Sequence, residues 1–243
     1  MRRLDRTMHV LRRGLVLLHK PLLRGFSRRG AWQGSLQRLL SRGFVFLGVV
    51  LCLGSAVAAE NDAQAPVILA VGESTTAGFG VARDASWPAQ LQALLDDAGH
   101  HYRVVNHGRS GSTTTMALSR LGEGLALQPA YVIIALGGND RSMRMSAEAT
   151  KETLRRMVAP YVQSGAQVFL ADRTPNTDGG DAGQGLLYAE LARETGATLI
   201  PSLREGLAGD PALLLSDMSH PNADGYTIIA ERMFTLLQPY LEP

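Results

Sequence analysis

Apolar residues along this chain fall into two kinds of pattern. Short runs bounded by glycine or polar turns predict buried strands: Val67–Val71, Tyr102–Asn106, Tyr131–Leu136, Gln167–Ala171 and Thr198–Ile200. Between them the period lengthens to that of a helix. Ser86-Trp87-Pro88 is a helix start, Leu91, Leu94 and Leu95 are its apolar stripe, and Gly99 stops it. Thr114–Leu121 predicts a second helix. Ser146 caps a long one through about Val162, and Leu186–Glu194 predicts another. Pro221–Leu241 closes the chain as an amphipathic helix bearing Ile228, Ile229, Met233, Leu236 and Leu237. Arg173–Gly185 is polar and glycine-rich and reads as a loop. Strand and helix alternate about five times over roughly 180 residues, which predicts one doubly wound α/β domain with a parallel sheet.

Ahead of the first strand the pattern changes. Residues 1–59 carry eleven Lys or Arg against one acid, Asp5. The formal charge of +2 therefore conceals 13 basic and 21 acidic residues over 60–243, a net of −8. A nucleic-acid partner wants a basic face, so none is expected. Phe44–Ala59 is an uncharged run of sixteen residues ending in small side chains. A spanning helix needs about 20, so 1–59 reads as a secretory signal peptide with a long basic leader. An uncleaved membrane anchor is the alternative. Residues 60–66 are then a linker and 67–243 the folded domain. Cys52, the only cysteine, lies in the leader, which leaves the domain without disulfide or thiolate chemistry.

In an open parallel sheet, chemistry gathers at the carboxyl ends of strands. Ser74 follows the first strand, Gly111 lies in the turn after the second, and Asn139 follows the third. Asp217-Met218-Ser219-His220 precedes the last helix. Serine acyl transfer needs a base, a carboxylate to orient it, and donors for an oxyanion. Each residue also has a plainer reading. Ser74 suits a helix N-cap, Asp217 an Asx-turn, Gly111 a positive φ, Asn139 with Asp140 a turn after two glycines, and His220 the start of a helix. His100, His101 and His107 read as solvated. The chain has no G-x-S-x-G elbow, no phosphate-binding G-x-x-x-x-G-K-[ST] loop, and no His/carboxylate cluster that would hold a metal.

Taken in order, Gly72-Glu73-Ser74-Thr75, Gly111, Gly137-Gly138-Asn139-Asp140 and Asp217-Met218-Ser219-His220-Pro221-Asn222 resemble the SGNH branch of the GDSL hydrolases. The Ser86-Trp87-Pro88 start and the tract from Val104 to Thr113 look like its bacterial arylesterase and thioesterase–lysophospholipase subgroup. The resemblance implies a flavodoxin-like three-layer α/β/α sandwich with strand order 2-1-3-4-5. It implies Ser74 as nucleophile, His220 as base and Asp217 as its orienting acid. The Ser74 N–H, the Gly111 N–H and the Asn139 side chain would form the oxyanion hole. No cofactor or metal is implied.

The expected activity is an exported, periplasmic or secreted serine esterase acting on acyl esters or thioesters, with membrane proximity through the N-terminal segment. A carbohydrate O-acetylesterase of the envelope is the alternative, against which the scarcity of aromatics weighs. A non-catalytic envelope module is a third reading, disfavoured by the complete set of motif residues. One departure stands out: the family's usual Asp before the serine is Glu73 here. Met143 and Met145 in the loop after the third block would suit an adaptable apolar wall, or simply a surface loop.

Overall fold

Val67–Gly72 forms β1, and all six residues are buried. The structure, a computed structural model, describes residues 65–173 and 182–242. The expected leader, most of the linker and most of the 173–185 loop lie outside these residues.

β1 is flanked on both sides. Arg103–Gly108 (β2) runs parallel to it on one edge and Tyr131–Ala135 (β3) on the other. Gln167–Ala171 (β4) and Thr198–Ile200 (β5) extend the sheet in parallel, giving the order 2-1-3-4-5. The flavodoxin-like expectation holds.

A strand alternates its side chains between two faces, and β1 divides accordingly. Ile68 and Ala70 join Trp87, Leu91 and Leu95 of the helix Trp87–Asp97 (α2), with Tyr226, Ile229 and Met233 of the helix Ala223–Leu237. Val67, Leu69 and Val71 join Leu154, Met157 and Val158 of the helix Ala147–Gln163, with Leu187 and Leu191 of the helix Ala182–Thr195. Apolar runs without polar alternation are what a sheet covered on both faces requires.

Several element bounds differ from the sequence reading. Thr114–Leu118 (α3) ends short of the expected Leu121, and a separate helix that was not expected, Leu121–Ala126 (α4), follows it. Gly124 is the reason α4 packs closely: a Cβ there would run into the Tyr161 hydroxyl. Gly138–Ser142 (α5), Ala147–Gln163 (α6), Ala182–Thr195 (α7) and Ala223–Leu237 (α8) follow in order. α8 starts later than Pro221 because Asn222 is its cap, accepting the Gly225 N–H at 3.0 Å. It ends before Pro239, where a 3-10 turn, Gln238–Tyr240, takes over. Ser86 occupies the N-cap position of α2 but makes no cap bond with its side chain. Its hydroxyl donates instead to Arg83 O, at 2.7 Å. Among the described residues no helix is long and apolar enough to cross a membrane.

Candidate active site

The turn after β1 is tight. A Cβ on Gly72 would overlap the Thr76 side chain, so only glycine lets the strand end there. Ser74 opens a four-residue helix, Ser74–Ala77 (α1), and Gly78 closes it in the left-handed region at φ 81°. Glu73 holds the N-cap position but makes no cap bond. The N-cap reading of Ser74 is therefore not what the chain adopts. Its Oγ lies 2.9 Å from Nε2 of His220, 146 residues away in sequence.

His220 reaches Ser74 from a clamped loop. Leu215 N–H donates to His220 O at 2.8 Å, and Asn222 N–H to Leu213 O at 2.9 Å. Within the loop Met218 takes a φ of 52°, a strained choice for a side-chain-bearing residue. That kink lets Asp217 face back onto the turn. Its Oδ1 accepts the N–H groups of Ser219 and His220, each at 2.9 Å. Its Oδ2 lies 2.7 Å from His220 Nδ1. The Asx-turn and the ring contact are thus made by one carboxylate. The His220 backbone and ring bonds, then the Ser219 N–H, hold Asp217 well below the usual carboxylate range. An ionised carboxylate only accepts, so the proton of the neutral ring sits on Nδ1. Nε2 is then the acceptor for the Ser74 hydroxyl.

Gly111 and Asn139 are linked to this relay indirectly. Gly111 lies between β2 and α3 at φ 77°, with open space where a Cβ would be. Asn139 is the second residue of α5. Its amide Nδ2 donates to Ser112 O, next to Gly111, at 2.9 Å. Its backbone N–H donates to Glu73 Oε2, next to Ser74, at 3.1 Å. The preceding Gly137, at φ 115°, is cleared for the Tyr188 hydroxyl, which donates to Leu136 O at 2.9 Å. Burial raises the Tyr188 pKa, keeping that donor protonated. Asp140 is fully buried and accepts the Thr114 N–H at 2.9 Å and its hydroxyl at 2.5 Å. α3 and α5 are thereby locked together.

Three further residues enter the neighbourhood. Phe79 packs its ring against His220. Arg173, just beyond β4, pairs with Glu73. Thr114 holds Asp140. A polar residue after a strand carries no mark of such a partner, and Arg173 read only as the first residue of a loop. His107 is not solvated as expected: it is the fifth residue of β2, and its ring Nε2 lies 3.2 Å from Glu123. Met143 is exposed and Met145 half-buried. Among the described residues no group of three or more His, Cys, Asp or Glu side chains could hold a metal ion.

Residues 70–228 match the GDSL-like Lipase/Acylhydrolase family. Esterase TesA of Pseudomonas aeruginosa is 32% identical over 185 residues, 74% of this chain and 92% of that protein. Thioesterase 1/protease 1/lysophospholipase L1 of Escherichia coli K12 is 32% identical over 198 residues, 80% of this chain and 91% of that protein. A solved structure of TesA superposes with a TM-score of 0.67 at 32% identity, over 72% of this chain and 99% of that one. The SGNH-hydrolase family esterase AlinE4 gives 0.58 at 29% identity, over 74% and 98%.

Proposed function

The chain belongs to the GDSL-like lipase/acylhydrolase family and is a hydrolase acting on ester bonds, and from that premise we propose that it is an exported serine esterase of acyl esters or thioesters. The observation that carries the mechanism is the unbroken relay Asp217–His220–Ser74, at 2.7 and 2.9 Å. The Ser74 hydroxyl gives its proton to His220 Nε2 as Oγ bonds to the acyl carbon. The carbonyl oxygen becomes an oxyanion, received by the Ser74 and Gly111 N–H groups and the second Nδ2 hydrogen of Asn139. The intermediate collapses and the alcohol or thiol leaves with the proton from His220. Water then repeats the sequence on the acyl-enzyme, releasing the acid and restoring the Ser74 hydroxyl. Asp217 stabilises the imidazolium formed in each half-reaction.

Support for export comes from the basic leader and the apolar Phe44–Ala59 run. The substrate class follows the names of the relatives, esterase, thioesterase and lysophospholipase among them.

The test is turnover of p-nitrophenyl esters of increasing acyl length and of an acyl thioester by the purified chain and its Ser74→Ala variant. The wild type turns over both classes. Ser74→Ala loses on the order of 10⁴–10⁶ in kcat while remaining folded. Retention of more than about a tenth of the wild-type rate by folded Ser74→Ala would remove the nucleophile assignment.

A further inference from the structure

Glu73 stands one residue before the proposed nucleophile, and its carboxylate is buried, the residue being 3% exposed. A charge taken out of water needs partners. Oε2 accepts the Asn139 N–H at 3.1 Å, and Oε1 pairs with Nη2 of Arg173. The intervening backbone is cleared for that pair. A Cβ on Gly138 would run into both Arg173 Nη2 and Glu73 Oε1. From α5, Arg141 Nη1 donates to Arg173 O at 3.2 Å, so the arginine is held from a second side.

We infer that the Glu73–Arg173 ion pair positions the oxyanion hole, Glu73 and Arg173 acting through Asn139 and not on the substrate. The inference rests on Asn139 being an oxyanion donor, as proposed above. A donor aids the transition state only if it is already aimed at the developing charge. Asn139 has two anchors. Ser112 O holds its amide, and Glu73 holds its backbone. The second anchor comes from the residue bonded to Ser74, so donor and nucleophile are referred to one point. Arg173 supplies the countercharge that lets the carboxylate stay buried there. Glu73→Gln retains an amide oxygen for the Asn139 N–H but no charge for Arg173. In that variant the side chain is free to turn, and the start of α5 shifts.

The experiment measures kcat and KM on p-nitrophenyl butyrate for Glu73→Gln, Arg173→Gln and the neutral double variant Glu73→Gln/Arg173→Gln. Glu73→Gln is repeated in an Asn139→Ala background. Rates are expressed per active site, counted by titration with a fluorophosphonate, and thermal midpoints are recorded. Glu73→Gln and Arg173→Gln are expected to lower kcat per site by about tenfold to a hundredfold, with KM within about twofold. The double variant, which leaves no lone buried charge, keeps the kcat loss while recovering the thermal midpoint. In the Asn139→Ala background, Glu73→Gln costs less than about twofold, because the donor it positions is gone.

An equal loss in both backgrounds would overturn the inference. So would a fall confined to thermal midpoint and active fraction, with kcat per site unchanged. If Asn139→Ala alone kept wild-type kcat, the oxyanion reading of Asn139 would fail, and this inference with it. If Asn139→Ala lost activity and Glu73→Gln did not, only this inference would fail.

Discussion

Phe79 lies against the ring of His220, with centroids 4.5 Å apart and planes inclined by 42°. The contact comes from the turn that follows the helix carrying the serine. Phe79 N–H donates to Ser74 O at 3.0 Å, and Tyr226 of α8 donates its hydroxyl to Phe79 O at 3.2 Å. The turn after α1 thus walls one side of the imidazole while Asp217 holds one edge. Ring pairs of this kind contribute about 0.5–1.5 kcal/mol, a factor of roughly two to tenfold if all of it orients the base. Phe79→Ala is expected to lower kcat by that factor with thermal stability little changed, since the side chain is 45% exposed. Steady-state kinetics beside a thermal melt check this. An unchanged kcat would mean that Asp217 alone orients the ring.

Thr114 and Asp140 make the strongest prediction on stability. Asp140 is fully buried and takes two bonds from the one threonine. Thr114→Val keeps the shape and removes the hydroxyl donor. Hydrogen bonds to a charged group contribute about 1.5–3 kcal/mol, so urea unfolding should show a loss near 2 kcal/mol. The kcat should fall as well, because the same contact ties the Gly111 side of the cleft to Asn139. Wild-type stability in this variant would mean that the backbone N–H alone satisfies the carboxylate.

The parts of the chain that could be read from sequence are those whose signals are local. β4 and β5 occupy the expected bounds because each is an apolar run cut off by turn residues. Ser74, Asp217 and His220 stood out because strand ends and a three-residue spacing mark them within a few positions. Glu73 was visible as a departure, but its purpose was not. Its partner Arg173 lies 100 residues on, and such a pairing is decided by the sheet order. The helix α4 had no local mark either, because Gly122 and Gly124 weaken a helical pattern until Tyr161 is placed against Gly124. Neither the strain at Met218 nor the contact of Phe79 with His220 has any counterpart in local sequence pattern.

Asn139→Ala tests the donor role by itself. The substitution removes the side-chain amide and leaves the backbone N–H that Glu73 accepts. A donor aimed at developing charge serves the transition state more than the bound ester. The expected loss is on the order of 10²–10³ in kcat with KM nearly unchanged. A raised KM at wild-type kcat would make Asn139 a substrate-binding residue instead.

The last prediction concerns Asp217 and pH. Its pKa is depressed by the His220 backbone and ring bonds and the Ser219 N–H. A depressed carboxylate stays ionised as pH falls through its ordinary range, and protonates only below it. Asp217 therefore does not set the acid limb of the rate profile. With His220 as the proposed base, that limb should involve a single proton.

Asp217→Asn changes the base in a defined way. Oδ1 must remain an acceptor for the Ser219 and His220 N–H groups. The amide NH₂ then takes the place of Oδ2, opposite Nδ1 of the ring. A donor there forces the neutral imidazole to carry its proton on Nε2, facing Ser74, where it cannot accept the hydroxyl proton. The expected cost is about 10³–10⁴ in kcat, of the size seen when a triad histidine is left in the wrong tautomer. The measurement is kcat/KM against pH for wild type and Asp217→Asn, with folding checked by circular dichroism. An acid limb below about pH 5 in the wild type would point to a carboxylate base. An Asp217→Asn enzyme within about tenfold of wild type would show that the ring keeps its tautomer without Asp217.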